Sequence, residues 1–307
     1  MIDREGKIGL FIPSYNAGNL WPAVIKALHE QKLPLHRKLI IDSGSTDGTA
    51  LFAEQNGFAV VSINSAEFNH GGTRNLAVNM LAESHLIIFM TQDVIIADKY
   101  SLENLIKPFV DPLVVISYGR QLPHINANPL AVHARKYNYP ENSIIKHKNL
   151  IPELGFKVCF MSNAFAAYRT SALLELGGFP TNVIIAEDTY LASKAVLAGY
   201  KIAYAAEATA YHSHNYSPVE EFKRYFDTGV FHAQNPWIRK EFGQPTGEGK
   251  KYVVKELKFV LRTRPAFLMN ALISNVMKLA GFKLGQNFNK LPKALLRFFS
   301  MHKNYWQ

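Results

Sequence analysis

Cysteine is almost absent: Cys159 is the single one in 307 residues. One thiol excludes an internal disulfide and fits a reducing compartment. It sits in the apolar string VCFM (158–161), the setting of a buried structural thiol rather than a nucleophile. Long apolar runs are missing too. No stretch of about 18 apolar residues occurs, so no membrane-spanning helix is expected. MIDREGKIGLF has no cationic start leading into an apolar segment, so no signal peptide is expected. Neither GxGxxG nor GxxxxGK[ST] is present, which removes the dinucleotide and P-loop fingerprints. There is no internal repeat and no low-complexity stretch.

Acidic residues run out toward the C-terminus. Residues 250–307 hold twelve Lys/Arg and one acid, Glu256, leaving 22 basic and 23 acidic residues in the first 249. The net charge of +10 therefore belongs to the tail, and it bears on partners rather than on fold. No zinc-ligand spacing or RNA-binding motif accompanies those cations, so nucleic acid is not an expected partner.

What is present is ample for a packed core, 48% hydrophobic and 19% charged residues. KIGLFIPSYN (7–16), RKLIIDSGSTDG (37–48), FAVVSI (58–63) and HLIIFMTQD (85–93) read as continuous aliphatic strands. Helical patterns lie between them at 19–32, 49–57 and 71–84, the last opened by two glycines. Strands that are apolar on both faces and alternate with helices predict an α/β fold with a mostly parallel sheet covered on both sides. Ligands of such sheets bind at the carboxyl ends of the strands. VVISYG (114–119), SNAFAAYR (162–169) and KIAYAAEATAYH (201–212) read as further strands, 186–200 and 219–233 as helices, and 123–129 and 138–155 as loops.

Five segments carry polar groups suited to chemistry. In IIDSGSTDGT (40–49), Asp42 ends a strand before small residues whose backbone N–H groups can meet a sugar or polar ring; the same pattern is also an ordinary turn capped by Thr46 or Asp47. In FNHGGTRN (68–75), two glycines permit close backbone approach at a helix N-terminus, and Arg74 suits a phosphate; equally, it is a glycine turn with a solvated Arg. In TQD (91–93), one carboxylate suffices for a hard cation when a diphosphate and waters supply the remaining oxygens, or it caps a turn. In AED (186–188), one of two adjacent acids can face a cleft as a general base, or both serve the helix dipole. In YHSHN (211–215), His212 and His214 share one strand face and can join a metal or touch a diphosphate.

Taken in order, FIPSYNAG, IIDSGSTDGT, the TQD strand end and AEDTYLASKAVLAGYKI resemble the family 2 glycosyltransferases of GT-A fold, over about residues 5–215. FNHGGTRNLA and TQDV are similar to the rhamnosyltransferases of bacterial surface polysaccharides within that family. The resemblance implies a Rossmann-like sheet flanked by helices, a nucleotide-diphosphate sugar donor (dTDP-rhamnose), Mg2+ or Mn2+, and inversion at the anomeric carbon. It implies donor contacts from Pro13, Ser14, Tyr15, Asp42, Ser43, Gly44, His70, Gly71, Arg74 and Gln92. By it Asp188 is the catalytic base and Asp93 the last acid of the family's Asp-x-Asp motif. Thr91 stands where that motif has its first acid, which shifts metal binding toward His212 and His214 and leaves a non-catalytic nucleotide-sugar- or glycan-binding protein as the alternative.

Residues 1–245 are expected to form the nucleotide-sugar-binding and catalytic domain, and 246–307 a helical, basic, amphipathic extension. Such an extension fits an anionic membrane surface, at the inner face of the cell membrane where a lipid-linked oligosaccharide acceptor would lie. The alternative is that its helices pack on the body and show only charged faces to water.

Overall fold

The structure is a computed structural model that describes residues 6–243 and 247–306. The domain boundary expected at 245/246 lies outside the described residues. In chain order the elements are β1 (Ile8–Ser14), α1 (Trp21–His29), β2 (Arg37–Asp42), α2 (Thr49–Gln55), β3 (Ala59–Ser62), α3 (His70–Met80), β4 (Leu86–Met90) and β5 (Ile95–Ile96). There follow α4 (Ser101–Ile106), β6 (Val114–Leu122), α5 (Pro129–Asn138), β7 (Ile144–Lys146), α6 (Ile151–Leu154), β8 (Phe165–Arg169), α7 (Thr170–Glu175), α8 (Glu187–Leu197) and β9 (Lys201–Tyr211). The chain closes with α9 (Pro218–Gln234), α10 (Pro236–Phe242), α11 (Glu248–Thr263), α12 (Leu268–Gln286) and α13 (Lys293–Phe299).

The strands form one sheet in the order β3-β2-β1-β4-β8-β6-β9-β5, with β7 on β9. The half built from β1 to β4 is parallel throughout. Strand β8 then enters antiparallel to both β4 and β6, so the sheet is mixed rather than parallel across its width. The continuous apolar runs have a direct cause. Along β4, Leu86, Ile88 and Met90 enter the core on one face, while Ile87 and Phe89 enter the core on the other. Neither face meets water, so no polar alternation survives.

Helix α3 starts at His70 because the Asn69 side chain accepts the Gly72 N–H at 2.8 Å. The cap is this Asn, not the glycine pair that the sequence suggested. Helix α9 opens with a full capping box between Ser217 and Glu220. Helix α5, in the stretch after the 123–129 loop, and the short strand β7, within the segment read as a loop, carry no strong periodic signal.

In the tail, α12 packs along α9 through small residues. A Cβ on Gly281 would lie 2.2 Å from the Phe222 carbonyl oxygen, and one on Gly285 2.0 Å from that of Phe226. The two backbones touch, as in small-xxx-small helix pairs. Lys278 of α12 is buried between Glu221 of α9 (3.3 Å) and Glu256 of α11 (3.8 Å). The tail's lone acid is thus consumed inside the fold. The outward face of α12 carries exposed Met269, Leu272, Ile273, Val276 and Leu279. The helix does pack on the body, yet the face it turns to water is apolar, not charged. Among the described residues no helix is long and apolar enough to cross a membrane.

Candidate active site

The carboxyl ends of β1, β2 and β4 frame a cavity of about 470 Å³ lined by Pro13, Ser14, Tyr15, Ser43, Ser65, Phe68, His70, Thr91, Gln92 and Asn304. The loops at its rim are tied together. The Tyr15 N–H donates to Gln92 Oε1 at 2.7 Å, and Gln92 Nε2 donates back to the Tyr15 carbonyl at 3.0 Å. Asp42 lies behind this wall rather than in it. Its carboxylate accepts from Ser14 Oγ (2.7 Å), the Gly44 and Ser45 N–H groups (3.1 and 2.8 Å) and Ser45 Oγ (2.6 Å). A carboxylate so saturated shapes the β1 and β2 loops. The Ser43 hydroxyl beside it is buried, has no hydrogen-bond partner among the described residues and belongs to the cavity wall. Burying a hydroxyl unpaired is costly, and this atom is one of several buried polar atoms left so among the described residues.

Of the residues expected to hold a donor, Pro13, Ser14, Tyr15, Ser43, His70 and Gln92 converge on the cavity, while Asp42, Gly44, Gly71 and Arg74 are outside its lining. Gly71 is required elsewhere: a Cβ there would sit 1.9 Å from the Pro180 carbonyl oxygen. Arg74 is buried, with Nη1 donating to the His70 carbonyl (2.9 Å) and lying 3.1 Å from Glu187 Oε1. Its charge is met by Glu187, and it acts on the cavity through His70. Burial, with the nearby Arg74 and His302 charges, lowers His70 to about 4 against the pull of Glu187, so its ring is neutral near pH 7.

The two acids at the start of α8 have separated. Ala186 takes a left-handed conformation, φ 61°, a strained geometry for a residue with a Cβ. From there Glu187 turns into the core and Asp188 remains partly exposed. Asn163 organises both: its side chain donates to Glu187 (3.2 Å) and its backbone N–H to Asp188 Oδ2 (3.0 Å). Its own Oδ1 is held by the Tyr168 hydroxyl at 2.5 Å. The next residue, Ala164, accepts the Thr91 N–H at 3.2 Å, which links Asp188 to the end of β4. Burial and the adjacent Glu187 charge raise Asp188 to about 6. A carboxyl poised there can take a proton near neutral pH.

Asp93 meets His212 and His214 beyond Thr91 and Gln92; like Asp188, none of the three lines that cavity, and His214 lines a separate one with His124 and Tyr216. Asp93 Oδ2 lies 3.3 Å from His212 Nε2 and 3.5 Å from His214 Nε2, and the two imidazole nitrogens are 3.1 Å apart. Thr91 Oγ1 donates to Asp93 Oδ1 at 2.6 Å. The residue that replaces the usual first acid thus orients the second. His212 Nδ1 is 2.9 Å from Gln121 Oε1, which also accepts from Arg135. That oxygen can only accept, so Nδ1 donates to it, and the ring is held with Nε2 directed at Asp93 and His214. Three ligand atoms, all within 4.8 Å of one another, face a common point. This donor set fits a divalent cation, with the outer partner expected of a metal-ligating histidine. Burial would raise Asp93, but the His212 hydrogen bond and charge, the Thr91 hydroxyl and His214 outweigh it and hold the carboxyl ionised far below its usual range.

Sequence reasoning missed Asn163, Gln121 and Arg135, which hold the acids and the histidine. It also missed Phe68, Ser65 and Asn304 in the cavity wall. Only Phe68 lay within a segment singled out beforehand.

Residues 10–177 match the family profile Glycosyl transferase family 2. The chain is 51% identical over 301 residues to the O-antigen chain rhamnosyltransferase RfbN of Salmonella typhimurium, covering 98% of this chain and 96% of that one. It is 48% identical over 298 residues to the O-antigen chain rhamnosyltransferase WbaN of Salmonella anatum, covering 97% and 95%. Among solved structures it resembles the mannosyltransferase PcManGT from Pyrobaculum calidifontis in complex with GDP-Man and Mn2+, with TM-score 0.56, 18% identity and coverage of 98% and 85%. It also resembles S. aureus TarS 1–349 in complex with UDP-GlcNAc, with TM-score 0.51, 16% identity and coverage of 92% and 91%. At those identities the structural likeness establishes the fold, which is GT-A.

Proposed function

The chain belongs to glycosyl transferase family 2 and is a glycosyltransferase; from that premise we propose that it moves L-rhamnose from dTDP-rhamnose, with inversion, onto a hydroxyl of a lipid-linked O-antigen precursor. The transfer chemistry rests on one observation. It is Thr91, in the cavity wall, whose hydroxyl donates to Asp93 and whose N–H donates to Ala164, next to the Asn163 that holds Asp188. The choice of sugar rests on the relatives. Tyr15, more than half exposed, and Phe68 offer flat apolar faces to a nucleobase. Asp188 removes the proton from the acceptor hydroxyl as its oxygen attacks the anomeric carbon in line with the departing diphosphate. No covalent intermediate with the protein is needed.

Asp93, His212 and His214 would hold Mg2+ or Mn2+, which when bound supplies positive charge to the leaving diphosphate. Two imidazoles among three ligands favour Mn2+ over Mg2+, whose preferred ligands are oxygens. Arg74 cannot supply that charge, because Glu187 offsets it. The sugar-transfer machinery centres on residues 1–245, and residues 246–307 hold the enzyme on the inner face of the cell membrane. The apolar row Met269, Leu272, Ile273, Val276 and Leu279 would enter the interface, and the cations around it would meet anionic headgroups at ~1 kcal/mol each.

The test is consumption of dTDP-rhamnose by the pure protein with a lipid-linked acceptor, compared with Asp188→Asn. Turnover by the wild type and none by the variant supports the reading. Equal turnover removes Asp188 as the base, and turnover only with another nucleotide sugar removes the donor assignment.

A further inference from the structure

One residue in the lining of the donor cavity, Asn304, comes from the far end of the chain. After α13 the backbone turns back over the body. The Met301 N–H donates to Asp227 Oδ2 of α9 at 2.9 Å, and Asp227 is fully buried. The Tyr305 hydroxyl donates to the Asn182 carbonyl at 3.0 Å, in the loop before α8. The Trp306 ring lies 6.5 Å from Phe226 and 5.9 Å from Phe288, centroid to centroid. These anchors surround His302 and Asn304. The His302 ring meets His70 edge-on, with centroids 5.2 Å apart and planes at 81°. The opposite side of His70 is held edge-on by Phe68 at 5.0 Å. Asn304 lines both the donor cavity and the adjoining one bounded by residues 66–70, 183–184 and 301–305. Its side chain makes no hydrogen bond to another described residue.

We propose that residues 300–306 form an integral wall of the nucleotide pocket, in which His302 positions His70 and Asn304 hydrogen-bonds the nucleobase. The argument is one of complementarity. The remaining lining offers aromatic faces, hydroxyls, the His70 ring and the Gln92 amide, which is already spent on the Tyr15 backbone. An amide offers one donor and one acceptor side by side. That pattern pairs with the imide edge of a pyrimidine, an N–H flanked by carbonyl oxygens, and equally with the adjacent N–H and carbonyl of guanine, so it adds affinity for a base without choosing among bases. A site built to pair a polar edge loses affinity when that pairing is removed. The anchors matter for the same reason: an amide on a mobile terminus loses its pairing energy to ordering entropy, whereas one held on both flanks does not.

This inference rests on reading the cavity as the donor pocket, and the experiment separates the two. Binding of dTDP and GDP to the full chain is measured by calorimetry in the presence of Mn2+, for the wild type, Asn304→Ala and Tyr15→Ala. Asn304 is exposed, so its variant should melt with the wild type. The expected result is about tenfold weaker binding of both dTDP and GDP to Asn304→Ala, the loss of roughly one hydrogen bond. For His302, steady-state kinetics should show a raised donor KM and a retained kcat in His302→Ala. His302→Phe keeps an aromatic edge against His70 and should restore the KM. If Tyr15→Ala weakens dTDP binding and Asn304→Ala does not, the tail is not part of the pocket while the pocket reading stands. If neither the wild type nor any variant binds a nucleotide, the pocket reading fails and this inference with it.

Discussion

Arg74 and Glu187 form a buried ion pair, 3.1 Å from Nη1 to Oε1, with both side chains less than a tenth exposed. The pair joins α3 to α8 and stands one residue from Asp188. It accounts for the different behaviour of two adjacent acids. Glu187 has a guanidinium and the Asn163 amide to satisfy it. Asp188 has only backbone N–H groups and the repulsion of its neighbour.

Removing Arg74 should therefore unfold rather than merely disarm the protein. Arg74→Ala leaves an uncompensated carboxylate in the core, a loss of about 3–5 kcal/mol. Arg74→Met combined with Glu187→Leu removes both charges and should recover most of that stability. Urea denaturation of the two variants checks this. An Arg74→Ala protein with wild-type stability and a weakened donor KM would return Arg74 to direct phosphate contact.

The rate should depend on pH through Asp188. Its conjugate base is the active form, and burial with the Glu187 charge raises its pKa to about 6. Above pH 6 the carboxylate is ionised and kcat/KM should be flat. Below it the rate should fall tenfold per pH unit as the base is protonated. Asp188→Asn should lose about 10²–10⁴-fold in kcat while keeping nucleotide affinity. A profile flat down to pH 5 would exclude this carboxyl as the base.

Gln121 touches no substrate, yet it should control metal affinity. Its Oε1 fixes the His212 tautomer, and Arg135 fixes Gln121 in turn. Gln121→Leu should weaken Mn2+ binding about 10- to 100-fold, the usual consequence of losing a histidine's outer partner. Thr91→Val, which removes the hydroxyl that steers Asp93, should act in the same direction. Mn2+ titration followed by electron paramagnetic resonance gives the affinity without reference to turnover.

How far the sequence discloses this arrangement depends on the range of the interactions. The strands are legible because both faces of β1, β2 and β4 are buried at their centres, so the central residues are apolar and each run ends where the polar loop begins. Asp93 is legible as a lone carboxylate at a strand end, and Asp188 as one of two adjacent acids at a helix start. His212 and His214 are legible because period-two spacing on a strand puts them on one face. The occupation of Arg74 by Glu187, 113 positions away, leaves no local trace. Nor does the arrival of Asn304 beside Ser14, which depends on how α9, α12 and α13 stack. A cationic tail rich in aliphatic residues announces a surface, but not which of its residues point inward.

The seam between α9 and α12 carries that stacking, so it sets whether the tail reaches the pocket. Gly281 and Gly285 stand one helical turn apart, and each faces a carbonyl of α9 at a distance that no Cβ can occupy. Gly281→Ala must push the helices apart by roughly an ångström or more. Overpacking of this kind costs about 1–3 kcal/mol, and here it acts on backbone that cannot swing aside. The shift would also move Lys278 relative to Glu221 and Glu256, which lie in the same interface. Gly249, which has open space around it, is the control position. Gly281→Ala should lower the melting temperature and raise the donor KM together, while Gly249→Ala changes neither. Thermal unfolding and donor kinetics on the same preparations check the pairing; a destabilised Gly281→Ala with an unaltered KM would show that the seam supports the fold without reaching the nucleotide.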